Sequence, residues 1–240
     1  MTRTTTITLF YLGIAVLCAA ILGAAFFIRS RLPKPELPPV LNIGKQQSTD
    51  WFPISRDLEA TNQEGERVKL SDLKGKVWVA AQFFAVCPQC AVRNGERLHK
   101  LYDTFSKDPD FHIVCITVDP ENDDQERLAA YAKALGADTK NWWFLNAGDV
   151  ASTHAYLEKE LKFLGVRERT DPADIEANGR FAHDLGFLLV NRDLKVIGKW
   201  PGADERTDEM RALDPGLYDR LQAELFQRVR QELDASPASE

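Results

Sequence analysis

Cysteine is scarce in this chain, and that scarcity excludes several classes of protein. Only four occur in 240 residues, Cys18, Cys87, Cys90 and Cys115, too few for a scaffold stapled by disulfides. There is no second cysteine pair to complete a four-ligand structural zinc site. No long basic run is present and the net charge is −6, which argues against a nucleic-acid partner. No internal repeat is visible. The length suits one domain of ordinary size with extensions and falls short of two full cores.

Charge is also missing from residues 7–28, ITLFYLGIAVLCAAILGAAFFI. At about 1.5 Å per residue this run spans roughly 33 Å, enough to cross a bilayer. A cleaved leader has an apolar core of only about 7–15 residues. This run is longer and ends in FFIRSR, so residues 1–30 are expected to form a single uncleaved transmembrane helix. Cys18 reads as one more apolar position, because Val16 and Leu17 before it are too bulky for lipoprotein processing. Arg3 precedes the span, and Arg29, Arg31 and Lys34 follow it. Counted alone, these charges tip the following part slightly toward the cytoplasm. RLPKPELPPV, with four prolines in ten residues, makes an extended spacer. Residues 31–66 are therefore expected to be a linker and irregular lead-in, with a short strand near 51–54.

An α/β pattern follows over residues 67–203. VWVAAQFFA, residues 77–85, is an apolar run of strand length. The segment after it carries apolar spacing at Leu98, Leu101 and Phe105 and predicts a helix. FHIVCITVD, residues 111–119, predicts a second buried strand, in which Cys115 is a small hydrophobe. DDQERLAAYAKALG predicts a helix ending at Gly136. WWFLN, residues 142–146, predicts a third strand, with Trp142 in the core and Trp143 at its rim. DVASTHAYLEKELKFLG predicts a helix running to Gly165. Residues 167–180 read as a polar loop. FAHDLGFLLV and LKVIGKW, around Asn191, Arg192 and Asp193, predict a β-hairpin. The order β-α-β-α-β-α-β-β gives an α/β layer fold, a central sheet flanked by helices. Residues 204–240 hold an amphipathic helix, with Leu217, Leu221, Leu225, Val229 and Leu233 recurring every four residues. That stripe is expected to pack on the domain, a partner helix being the other reading.

The chemistry concentrates in FFAVCPQCAVRNGERL, residues 83–98. Cys87 and Cys90 end the first strand and open a helix, with Pro88 suited to a first helical position. A strand that runs through Cys-x-x-Cys into a helix is the arrangement of a thioredoxin-like fold. The helix N-terminus offers free N–H groups and partial positive charge, and both stabilise a thiolate. A thiolate attacks disulfides and binds soft metals. Two unreactive structural thiols are the bland alternative.

The segment expected to face the pair has no proline between Phe181 and Pro201 and offers His183 instead. Two thiolates and an imidazole make a set that favours Cu(I). A loop histidine that meets solvent is the other reading. Asp119 could tune the site or simply end a strand or cap the next helix. Asp184 could orient His183 or be a turn residue. His99, His112 and His154 read as structural or exposed. Arg93, Arg97 and Lys100 read as a solvated helix face, with an acidic partner as the alternative.

Over residues 68–200 the chain resembles the SCO/SenC family of membrane-anchored copper-binding proteins. The matching features are LSDLKGK, the cysteine pair after an apolar strand, ITVDPENDD, YAKALG, the long polar loop, and His183-Asp184 before the hairpin. The resemblance implies a thioredoxin-like fold and copper, Cu(I) first and Cu(II) second, on Cys87, Cys90 and His183. It also implies a role in assembling the copper site of cytochrome c oxidase. The partner would be the oxidase copper-site subunit or another thiol or copper protein. The domain would face the periplasm from a bacterial inner membrane, or lie at the mitochondrial inner membrane in a eukaryote, which overrides the charge count. One feature departs from the family, which spaces its cysteines as Cys-x-x-x-Cys before proline. Here Ala91 follows Cys87-Pro-Gln-Cys90. One residue fewer turns the second sulfur by about 100° around a helix. This shorter spacing is that of thiol–disulfide oxidoreductases, so an enzyme with Cys87 as nucleophile and Cys90 as resolving thiol stays open.

Overall fold

The computed structural model describes residues 52–85 and 95–235, together with Gly23. The first two strands are short: β1 (Glu59–Thr61) and β2 (Arg67–Lys69) form an antiparallel pair. A single 3-10 turn, Leu70–Leu73, then buries Leu70 and Leu73 and leads into the main sheet.

The centre of that sheet is β3 (Val77–Phe83), every residue of which is buried. β4 (Phe111–Thr117) runs parallel to it, with Ala80 opposite Val114, and is buried throughout as well. β5 (Trp142–Leu145) is parallel to β4. These are the apolar runs of the sequence, and their unbroken hydrophobicity follows from burial on both faces. Two further strands complete it: β8 (Gly186–Val190) pairs antiparallel with β3, and β9 (Val196–Pro201) pairs antiparallel with β8. The strand order is β5-β4-β3-β8-β9, a mixed sheet.

The sheet is covered on both sides. Val77, Val79, Ala81 and Phe83 point to the side covered by α1 (Gly95–Phe105), α2 (Gln125–Ala134) and α6 (Leu217–Asp234). Trp78, Ala80 and Phe84 point to the other side, where Tyr156 and Leu157 of α3 (Val150–Lys159) pack. Helix starts are fixed by carboxylates accepting backbone N–H groups. Asp124 accepts from Arg127 and Asp149 accepts from Ser152. Asp119, read from sequence as one possible cap for the helix that follows it, is not the cap of α2; Asp124 is.

Three sequence expectations are corrected. The helix expected to reach Gly165 ends at Lys159, because Leu161 and Phe163 turn back into the core with Lys162 at φ 56°. The polar stretch 167–180 is not a plain loop. It holds β6 (Arg167–Glu168) and α4 (Pro172–Asn178), whose first turn is capped by the Asp171 carboxylate. The segment expected as one hairpin strand is divided. Phe181–Ala182 forms β7 and pairs with β6, and the hairpin strand proper starts at Gly186. The break follows from Asp184, whose carboxylate accepts the N–H of Gly186 two residues on at 2.8 Å and turns the chain. One short helix, α5 (Asp208–Leu213), precedes α6.

Among the described residues no helix is long and apolar enough to cross a membrane. The anchor expected at residues 7–28 lies outside them apart from Gly23, as does the proline-rich spacer.

Candidate metal and thiol site

Cys87 and Cys90 belong to residues 86–94, outside the described part. What the structure gives is the frame at the end of β3. The backbone N–H of Ala85 donates to both carboxylate oxygens of Asp123, at 3.1 and 3.1 Å. The Thr117 hydroxyl, at the end of β4, donates closely to the same carboxylate. Val118 N–H bonds to the Phe83 carbonyl at 2.8 Å. One fully buried acid thus ties the exits of two adjacent strands together. Its burial pushes the carboxyl up to about 6, against the hydrogen bonds from Thr117 and Ala85.

His183 stands beside this exit. In the β3–β8 pairing Ala81 lies opposite Phe187, so the antiparallel register carried onward brings residues 84 and 85 toward 184 and 183. Two contacts agree with that placement. The His183 ring meets Phe84 edge-on, with centroids 5.6 Å apart. The N–H of Asp184 donates to Gln82 Oε1 at 3.0 Å. His183 Nδ1 lies 3.0 Å from the Asp184 carbonyl oxygen. A carbonyl only accepts, so Nδ1 carries the proton and Nε2 keeps its lone pair, the form that binds metal. Burial pushes the imidazole down to about 4, despite the opposing pull of the Asp184 carbonyl. The ring is therefore neutral at physiological pH.

Asp184 supports the segment in a way the sequence did not specify. Its carboxylate accepts from the N–H groups of Leu164 and Gly186, each at 2.8 Å, and pairs closely with Lys199. It reaches His183 through its backbone carbonyl, not through its side chain. Asp119 has a separate set of partners. Its carboxylate accepts from Asn122 Nδ2 at 2.9 Å on both oxygens, and it lies 3.9 Å from Arg180. Arg180 in turn bonds Glu168 and Glu121, so Asp119 is joined to the β6–β7 segment just ahead of His183.

That segment is fastened by Arg169. Its guanidinium donates to the carbonyls of Asn178 at 3.2 Å and Gly179 at 3.1 Å, and closely to that of Phe181. Gly179 sits at φ 79°, where a Cβ would come 2.4 Å from the Phe84 ring. Only glycine suits this position. Phe84 is thereby lodged between Gly179 and His183.

The sequence reading missed Gln82, Phe84, Asp123 and Arg169. Gln82 carried a signal, being the one polar residue in VWVAAQFF. Asp123 lay within the quoted ITVDPENDD. The other histidines are structural. His154 Nε2 donates to the Val118 carbonyl at 2.6 Å, His99 lies edge-on to Trp142, and His112 is buried against Trp143. Among the described residues no group of three or more His, Cys, Asp and Glu could hold a metal ion, so a metal set at His183 would need donors from outside them.

A family model described as SCO1/SenC matches residues 46–214. The chain is 28% identical over 168 residues to the SCO1 protein homolog of Bacillus subtilis (strain 168), covering 67% of this chain and 81% of that one. A SCO1/SenC family lipoprotein from Bacillus anthracis superposes with a TM-score of 0.62 at 22% identity, covering 79% of this chain and 99% of that one. Arabidopsis thaliana ScoI, solved with copper bound, superposes with a TM-score of 0.55 at 17% identity, over 74% and 99% of the two chains. These likenesses agree with the observed thioredoxin-like sheet.

Proposed function

The chain belongs to the SCO1/SenC family, and from that premise we propose that it is a membrane-anchored copper protein that receives Cu(I) on Cys87, Cys90 and His183. The cargo would pass to the copper-site subunit of cytochrome c oxidase or to another thiol or copper protein. One observation carries the reading: His183 stands beside the end of β3, its ring edge-on to Phe84 and its Nδ1–H held by the Asp184 carbonyl. Cys87 follows Ala85 by two residues, and a two-residue step spans at most about 7 Å. Two thiolates and one imidazole form a soft set that fits Cu(I). Copper bound to Arabidopsis thaliana ScoI supports the same cargo. Residues 7–28 would hold the domain at the periplasmic face of a bacterial inner membrane, or at the mitochondrial inner membrane if the source is eukaryotic.

The test is a titration of the reduced full chain in detergent with Cu(I) against a competing chelator. One tight equivalent is expected, weakened at least tenfold by His183→Ala. Unchanged affinity in that variant would overturn the three-ligand reading.

The spacing Cys87-Pro-Gln-Cys90 favours a second reading, a thiol–disulfide oxidoreductase. In that reaction the Cys87 thiolate attacks one sulfur of a partner disulfide and forms a mixed disulfide, releasing the other partner sulfur as a thiolate. The Cys90 thiolate then attacks the Cys87 sulfur, freeing the second partner thiolate and leaving Cys87 and Cys90 oxidised. Rapid reduction of a partner disulfide that is lost in Cys87→Ser and indifferent to His183→Ala would support it.

A further inference from the structure

Gln82 is a polar side chain in β3, a strand buried from end to end. It is 1% exposed and sits between Ala80 and Phe84 on the sheet face that carries His183. Its amide orientation is fixed by its partner. Asp184 N–H is a donor, so the atom facing it at 3.0 Å must be Oε1. That leaves Nε2 buried with no hydrogen-bond partner among the described residues. A buried unsatisfied donor costs about 1–3 kcal/mol. An apolar residue here, like Ala80 and Phe84 on either side, would avoid that cost. What the amide supplies in exchange is the Oε1 acceptor.

That acceptor falls on the peptide joining His183 to Asp184. The N–H of this peptide is held by Gln82, and the carbonyl of Asp184 is held by His183 Nδ1. The Asp184 carboxylate is fixed independently by Leu164, Gly186 and Lys199. With the 183–184 peptide plane locked from β3, the direction in which the His183 side chain leaves the backbone is set by the strand that precedes the cysteine pair in the sequence.

We propose that Gln82 is the positioning residue of this site, its Oε1 locking the His183–Asp184 peptide so that the imidazole presents Nε2 toward the end of β3. The inference rests on the copper reading for its ligand, but the peptide lock itself is a property of the metal-free protein.

The experiment is a double-mutant cycle on the reduced full chain, with Gln82→Leu, His183→Ala and the pair, read by Cu(I) competition. Gln82→Leu is expected to weaken Cu(I) binding about tenfold alone and to add nothing once His183 is gone. An equal loss in both backgrounds, or no loss in either, overturns the proposal. A second readout uses no metal: the ¹⁵N shifts of His183. The wild type is expected to show the Nδ1–H tautomer alone, and Gln82→Leu a mixture of both. An unchanged tautomer overturns the proposal even where His183→Ala leaves copper affinity intact, an outcome that defeats the copper reading instead. If Gln82→Leu fails to fold, Gln82→Glu keeps an acceptor at the same place. It is expected to retain the Nδ1–H tautomer, and its loss in that variant would likewise sink the idea.

Discussion

Asp123 and His112 are buried groups whose ionisation works in opposite directions. Burial raises the Asp123 carboxyl to about 6. A folded value above the unfolded one means that the protonated acid stabilises the fold. That contribution is complete below the unfolded value of about 3.8 and is lost as pH rises through 6. His112 is pushed down to about 4, chiefly by burial. Its neutral form stabilises the fold above about 6.5, and that contribution is lost as pH falls toward 4. Each slope approaches about 1.4 kcal/mol per pH unit, so between pH 4 and 6 the two largely offset each other. Asp123→Asn removes one of them while retaining an acceptor for Ala85 or Thr117. Its stability relative to wild type is expected to rise by roughly 3 kcal/mol between pH 4 and pH 7. Urea unfolding at a series of pH values measures this, and a difference independent of pH would contradict the assignment.

At the scale of elements, the segment from β6 through α4 to β7 leads directly into His183. It is not part of the main sheet; only two residues on each side pair, Arg167 with Ala182 and Glu168 with Phe181. Its order comes largely from Arg169, which gathers three carbonyls and pairs with Asp174 at 3.2 Å. Hydrogen bonds from a charged donor contribute about 1.5–3 kcal/mol. Arg169→Met keeps the apolar stem and removes the donors. Amide exchange over residues 167–182 is therefore expected to quicken by roughly ten- to a hundredfold, since about 1.4 kcal/mol is a factor of ten. Exchange in β3 and β4 should stay as in the wild type. Acceleration spread evenly over both regions would mean that Arg169 supports the whole fold and not this segment.

Over the whole molecule, what the sequence revealed depended on how local each cause was. The runs 77–83 and 111–117 read as buried strands because burial on both faces leaves nothing but apolar residues there. The four-residue stripe from Leu217 to Leu233 read as a helix for a similar reason. The frame of the site was hidden because its causes are distant. Gln82 stood out as a lone polar residue, but its partner Asp184 lies 102 positions away. Asp184 in turn answers to Leu164 and Lys199, and nothing near it announces them. The terminal helix is where a local pattern and a distant partner meet. Its stripe could have served another protein, yet Leu225 and Val229 are fully buried on the sheet face away from His183. Polar ties reinforce the seat: Tyr218 bonds the Gly202 carbonyl at 2.8 Å, and Arg192 bonds that of Leu233 at 3.1 Å. Leu225→Ala leaves a cavity under α6 and is expected to cost about 2–5 kcal/mol of stability. Copper affinity of the folded protein should be unaffected, because the cavity opens on the opposite side of the sheet from the imidazole. Denaturant unfolding and Cu(I) competition on the same sample separate the two effects. An unfolding midpoint left unmoved by Leu225→Ala would show that the stripe serves a partner and not the core.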